Sequence, residues 1–125
     1  MFRTEDNILD PTQEMLDNPD VLAEWYNRRD SIRVGFTLDF AHANKVIADI
    51  RRLYDCHIPV YVRFKAGMEL AQCLALIIEI SGLCKEIIIG INRGNYVRGD
   101  EVDNFLNHIK SINFRNGTSI KIEYT

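Results

Sequence analysis

The side chains in this chain best suited to chemistry are basic residues grouped around tyrosines. Arg33, Tyr61, Arg63 and Lys65 fall in or beside segments of alternating pattern, and the stretch from Asn92 to Asp100 carries Arg93, Tyr96 and Arg98 among two glycines. A ring flanked by cations suits single-stranded nucleic acid, where each stacked base is worth about 1–3 kcal/mol and the cations take phosphates. The glycines of the 92–100 stretch permit backbone angles closed to other residues, and hence close approach to a ligand. If right-handed crossovers make the first strands parallel, Asp39, Lys65, Arg93 and Arg98 share one rim with the helix starts near residues 40, 67 and 100. Helix N-termini and guanidinium groups together make an anion, such as a phosphate group, the expected ligand of that rim.

Catalytic signals are sparse. His42, His57 and His108 are scattered, and none stands at metal-ligand spacing from a cysteine, an aspartate or another histidine. His42 lies three residues after Asp39, a spacing that suits a local hydrogen bond. No Gly-x-Ser-x-Gly, phosphate loop or dinucleotide fingerprint occurs. Cys56, Cys73 and Cys84 are odd in number, lack Cys-x-x-Cys spacing and sit within or beside apolar runs. They read as reduced thiols acting as small hydrophobes in a cytoplasmic protein. The sequence therefore points away from an enzyme, and no metal or cofactor is expected.

Composition sets the scale. The chain has 125 residues, 46% of them hydrophobic, enough for one domain with one core. Its net charge of −3 gives the whole molecule no pull toward nucleic acid. That average conceals an asymmetry: residues 1–30 hold eight acids and three bases, residues 31–125 ten acids and twelve bases. An acidic helical leader, within the same domain or flexible, thus precedes a mildly basic body, and it is a candidate competitor for whatever that body binds. No apolar run approaches the ~18 residues of a membrane span. The acid-rich start MFRTEDNILD is unlike a signal peptide.

The elements that must position these side chains alternate. Residues 1–11 read as an irregular lead-in. Thr12 starts a helix, Asn18-Pro19-Asp20 breaks it, and Val21, Leu22, Trp25 and Tyr26 recur at helical spacing. Strands follow at 32–38 and 58–64, each of period two. Pro59 marks the second as an edge strand, or stands at its first residue. Asp39 is the expected N-cap of a helix over 40–54. A second helix over 67–81 is apolar nearly all round, and Gly82 ends it. Residues 86–91 read as a more continuous strand, as a central one would. Asp100 caps a third helix, Arg115-Asn116-Gly117 turns, and 120–124 form the last strand.

This order is a helical leader followed by βαβαβαβ. One-sided strands predict an α+β two-layer sandwich, with a mixed sheet of about four strands and helices mainly on one face. The order of elements is loosely similar to that of the histidine phosphocarrier domains, whose first helix begins with a phosphorylated histidine followed by a basic residue. At that junction this chain reads Leu38-Asp39-Phe40-Ala41-His42. The similarity is one of element order, rests on no motif and implies no shared activity.

The all-apolar second helix needs more cover than one sheet face supplies. The candidate covers are the Trp25/Tyr26 helix of the leader and a second copy of the protein, with Met68, Leu76 and Ile80 at the interface. The expectation is a small, non-enzymatic interaction or regulatory domain that acts through protein–protein contacts and self-associates. The alternative is a nucleic-acid or phosphate binder using the basic sheet face and the 92–100 loop.

Overall fold

Every described strand runs parallel to its neighbours. The computed structural model describes residues 8–9, 12–27, 33–91, 99–116 and 118–124. Five strands lie in the order in which the chain makes them: β1 (Ile8–Leu9), β2 (Arg33–Leu38), β3 (Val60–Phe64), β4 (Glu86–Ile91) and β5 (Ser119–Tyr124). The expected mixed sheet is therefore corrected to a parallel one, because each helical crossover returns the chain in the direction it left. The lead-in is corrected too, since Ile8 and Leu9 pair with Arg33 and Val34.

Sequential order has a second consequence. Right-handed crossovers that always step the same way place their helices on the same face. The helices are α1 (Gln13–Asp17), α2 (Pro19–Asn27), α3 (Ala43–Asp55), α4 (Leu70–Ile80) and α5 (Gly99–Asn116). Val34, Phe36, Leu38, Val60, Val62, Ile87 and Ile89 share one core cluster with Ile50 of α3, Ile77 of α4 and Phe105 of α5. The opposite sheet face contributes a separate, smaller cluster of Tyr61 and Ile88. The two-layer arrangement expected from one-sided strands is the one observed.

Local chemistry sets the element ends. The Thr12 hydroxyl accepts from the Met15 amide and caps α1, and Asn18 closes it by donating its backbone N–H to the Met15 carbonyl. Asp39 does not cap α3 directly. It accepts from the His42 amide at 2.7 Å and so holds the turn before the helix, which begins at Ala43. Pro59 precedes β3, an interior strand, so its missing amide costs the ladder nothing and the edge-strand alternative is excluded. Helix α5 runs on through Asn116, overriding the turn expected at 115–117.

The leader belongs to the core. Leu16 and Leu22 are buried in the main cluster. Polar bonds add to this: Lys45 Nζ donates to Gln13 Oε1 at 2.7 Å, and Arg52 to the Leu16 carbonyl at 2.9 Å. Behind both cations lies Asp49, only 3% exposed, with its carboxylate 3.5 Å from Lys45 and 3.8 Å from Arg52. What Lys45 and Arg52 bond in the leader is an amide oxygen and a backbone carbonyl, rather than its many acids.

Candidate functional site

Three surfaces carry the side chains singled out by their chemistry. On the helix-free sheet face, alternation and register bring Tyr61 beside Gly35 and Glu86, and Arg63 beside Thr37 and Ile88. Tyr61 is only 8% exposed and Ile88 5%. The ring is thus not presented as an open platform for stacking. Arg63 reaches past β4 to Glu123 of β5 in a two-pronged contact, at 2.9 Å to Oε2 and 3.4 Å to Oε1. This charge-assisted pair neutralises the cation expected to meet a phosphate. Glu123 was discoverable, since it shares the parity of Lys121 in an alternating strand. What the sequence hides is that a parallel β4–β5 ladder brings it within reach of β3. Arg33 is described in backbone only, opposite Ile8.

On the rim at the C-terminal ends of β2 and β3, the structure does join Asp39 and Lys65, at 4.0 Å. His42 completes the group, its Nδ1 lying 3.2 Å from both Asp39 oxygens. The Asp39 carboxyl is held below its ordinary value, chiefly by the His42 amide, then by the His42 ring, with Lys65 adding attraction. A depressed carboxyl contributes stability above its unfolded pKa of about 3.9, and that contribution disappears as pH falls through the lower folded value. Asp39→Asn is therefore expected to flatten the acid limb of a stability curve. Urea midpoints measured from pH 5 downward check this; a limb as steep as the wild type's would refute it. Arg93, Tyr96 and Arg98 lie outside the described residues, so the remainder of the rim is an expectation from sequence.

An open α/β sheet usually binds ligands where its strand order reverses and adjacent crossovers part. The order β1-β2-β3-β4-β5 has no reversal. The described hollows are correspondingly modest. One of about 290 Å³ lies among Tyr54, His57, Pro59, Leu83 and Lys85, at the N-terminal ends of β3 and β4. Another of about 410 Å³ lies among Glu69, Leu70, Ala71 and Glu101, at the starts of α4 and α5. The first lining also includes Cys84 together with His57, but burial pushes that thiol up to about 12, which keeps it protonated. Among the described residues no three His, Cys, Asp or Glu side chains are grouped to hold a metal ion, and no helix is long and apolar enough to cross a membrane.

The helical layer is the third surface, and here an expectation is corrected. Leu76 and Ile80 are buried in the core rather than offered to a partner. Sequential strand order seats α4 between α3 and α5, which flank it on both sides and supply cover that the sequence reading did not anticipate. Met68 is partly buried against that core. Trp25 and Tyr26 lie in α2 with only their backbone described. What remains exposed on α4 is Ala71, Ala75, Ile78 and Glu79, with Ile78 62% open and half-buried Leu74 among them.

Burial also sets the thiols apart. It pushes Cys73 up to about 11 and Cys84 up to about 12, because a thiolate there would lose its hydration. Cys56 is only partly buried. Iodoacetamide at pH 8 is expected to label Cys56 first and to reach Cys73 and Cys84 only on denaturation. Peptide mapping that finds Cys84 labelled at the rate of Cys56 would overturn this. No protein-family model, curated protein or solved structure matches this chain.

Proposed function

We propose that this protein is a small, non-enzymatic interaction or regulatory domain working through protein–protein contacts. One observation carries the reading. The outer face of the central helix α4 presents Ala71, Leu74, Ala75 and Ile78 without an intervening charge, on the part of the helical layer farthest from the sheet. Among the described residues, in contrast, several surface charges are matched in pairs: Arg63 with Glu123, Lys65 with Asp39, and Arg51 with Glu79 at 4.0 Å. Matched charges attract phosphate less than free ones, so the geometry favours a protein partner over nucleic acid.

An apolar dye such as anilinonaphthalene sulfonate tests this. The wild type is expected to bind it, and Ile78→Lys to reduce the fluorescence several-fold while leaving the thermal midpoint in place. Lysine is chosen because a cation suits the last turns of a helix. A wild-type protein that binds no dye and no protein partner through this face would overturn the proposal.

A further inference from the structure

The last strand, β5, carries the clearest self-complementary surface in the molecule. It is an edge strand: among the described residues, β4 lies on one side and no strand on the other. Of β2 to β5 it is also the least buried. Ile120 and Ile122 remain half-buried, whereas their counterparts Ile87 and Ile89 on β4 are fully buried. The reason is topological. Helix α5 precedes β5 and packs against it and α4, so the cover over β5 comes from the side of α4.

The hydrogen-bond parity of β5 is fixed by one contact. The Ser119 amide donates to the Lys85 carbonyl at 3.0 Å, so Ser119 faces β4. Successive residues of a strand direct their backbone groups to alternate sides, so Lys121 and Glu123 also face β4 and Ile120 and Ile122 face outward. An antiparallel neighbour must therefore form its hydrogen-bonded pairs with the even-numbered residues. Two-fold axes through Lys121 and through Ile122 satisfy this with equal overlap, but the first sets Lys121 opposite its own copy, a like-charge contact that the axis through Ile122 avoids. The second axis sets Ile122 opposite its own copy and Ile120 opposite Tyr124, all on the apolar face. On the polar face it sets Lys121 opposite Glu123, twice, in the non-hydrogen-bonded pairs where side chains lie closest. Glu123, already paired with Arg63 of its own chain, there meets a second cation. The segment Ile120-Lys121-Ile122-Glu123-Tyr124 is thus complementary to itself in charge and in hydrophobicity, but only in this register.

We infer that β5 pairs antiparallel with β5 of a second copy about a two-fold axis through Ile122, joining two sheets into one continuous sheet. An isologous two-fold contact of this kind closes on itself and leaves no further edge at β5. The inference rests on the reading of the protein as an interaction domain, but it uses a different surface from the α4 stripe.

Sedimentation across a concentration series supplies the test. The wild type is expected to reach twice the 14.5 kDa mass of the chain. Lys121→Glu places like charges opposite each other at both symmetric positions and is expected to raise the dissociation constant about tenfold. Glu123→Lys does the same with two lysines. An equimolar mixture of the two variants restores opposite charges at both positions, and with them the dimer. Amide exchange provides a second readout that needs no variant. The outward Ile122 amide is expected to slow about tenfold between dilute and concentrated protein, while the inward Lys121 amide stays protected throughout. A wild type that keeps the monomer mass overturns the pairing, and the α4 reading is then judged separately by dye binding. A dimer broken by Ile78→Lys but indifferent to Lys121→Glu also overturns the pairing, while leaving the interaction domain in place.

Discussion

Replacing Ile77 with alanine is expected to lower the unfolding free energy by about 2–5 kcal/mol, whereas the same change at Ile78 leaves it within about 0.5 kcal/mol. The two residues are neighbours of the same type on the same helix, so composition and propensity cancel in the comparison. Ile77 has no exposed surface, while Ile78 has most of its side chain in water. The cost at Ile77 belongs in the upper part of its range. It belongs to the helix that α3 and α5 flank and shares the core cluster with Val62, Ile87 and Ile89 of the sheet, so the cavity left by truncation has rigid walls and little freedom to collapse. At Ile78, alanine gains slightly in helix propensity and loses little burial. Chemical denaturation of both variants with a shared m-value decides the matter. Equal losses at the two positions would mean that α4 does not occupy the middle of the layer.

The same helix shows how far the sequence could be read. Its excess of apolar residues is plain in the residues themselves, and so is the inference that more than a sheet must cover it. The identity of the cover is not, because it depends on the order of the strands. A doubly wound sheet reverses its stepping direction and puts the helices before and after the reversal on opposite faces, which would take α3 or α5 away from α4. Only the sequential order seats all three side by side, and nothing within a single strand encodes its neighbours. The strands themselves were legible for the opposite reason. Period-two alternation over 33–38 and 60–64 is a local signal, and it correctly indicated a sheet with one face free of helices. The same locality limits what alternation says of Tyr61 and Arg63. Alternation shows that both point away from the helices, but the partner of Arg63 lies sixty residues onward on β5. Their availability therefore depended on tertiary pairing, and the basic face proved to be an ion-paired one. Ile8–Leu9 escaped notice because two residues cannot display a period; only β2 beside them gives them the geometry of a strand.

Leu22→Ala in the leader is expected to destabilise the whole fold by about 2–5 kcal/mol, and removal of residues 1–27 to abolish cooperative unfolding altogether. The argument turns on what holds the leader in place. An acidic segment tethered to a basic body is free to act as a competitor only if it can leave at low cost. Here Leu22 is fully buried and Leu16 nearly so, within the one cluster that also contains Ile50 and Ile77. Losing both leucines, together with the β1 pairing on the edge of β2, removes a large part of the ~5–15 kcal/mol by which a domain of this size is stable. The polar contacts contribute less. Arg52→Ala gives up a single bond to the Leu16 carbonyl and one side of the Asp49 pairing, and about 1–2 kcal/mol is expected. This ordering separates two kinds of leader. If it is a docked strap, Arg52→Ala and Leu22→Ala accelerate amide exchange in α1 and α2 alone and leave β3 and β4 protected. If it is integral to the core, as its burial indicates, Leu22→Ala speeds exchange in the sheet and the leader together, because both then open only through global unfolding. Faster exchange confined to the leader would restore the competitor role that an acidic first thirty residues suggests.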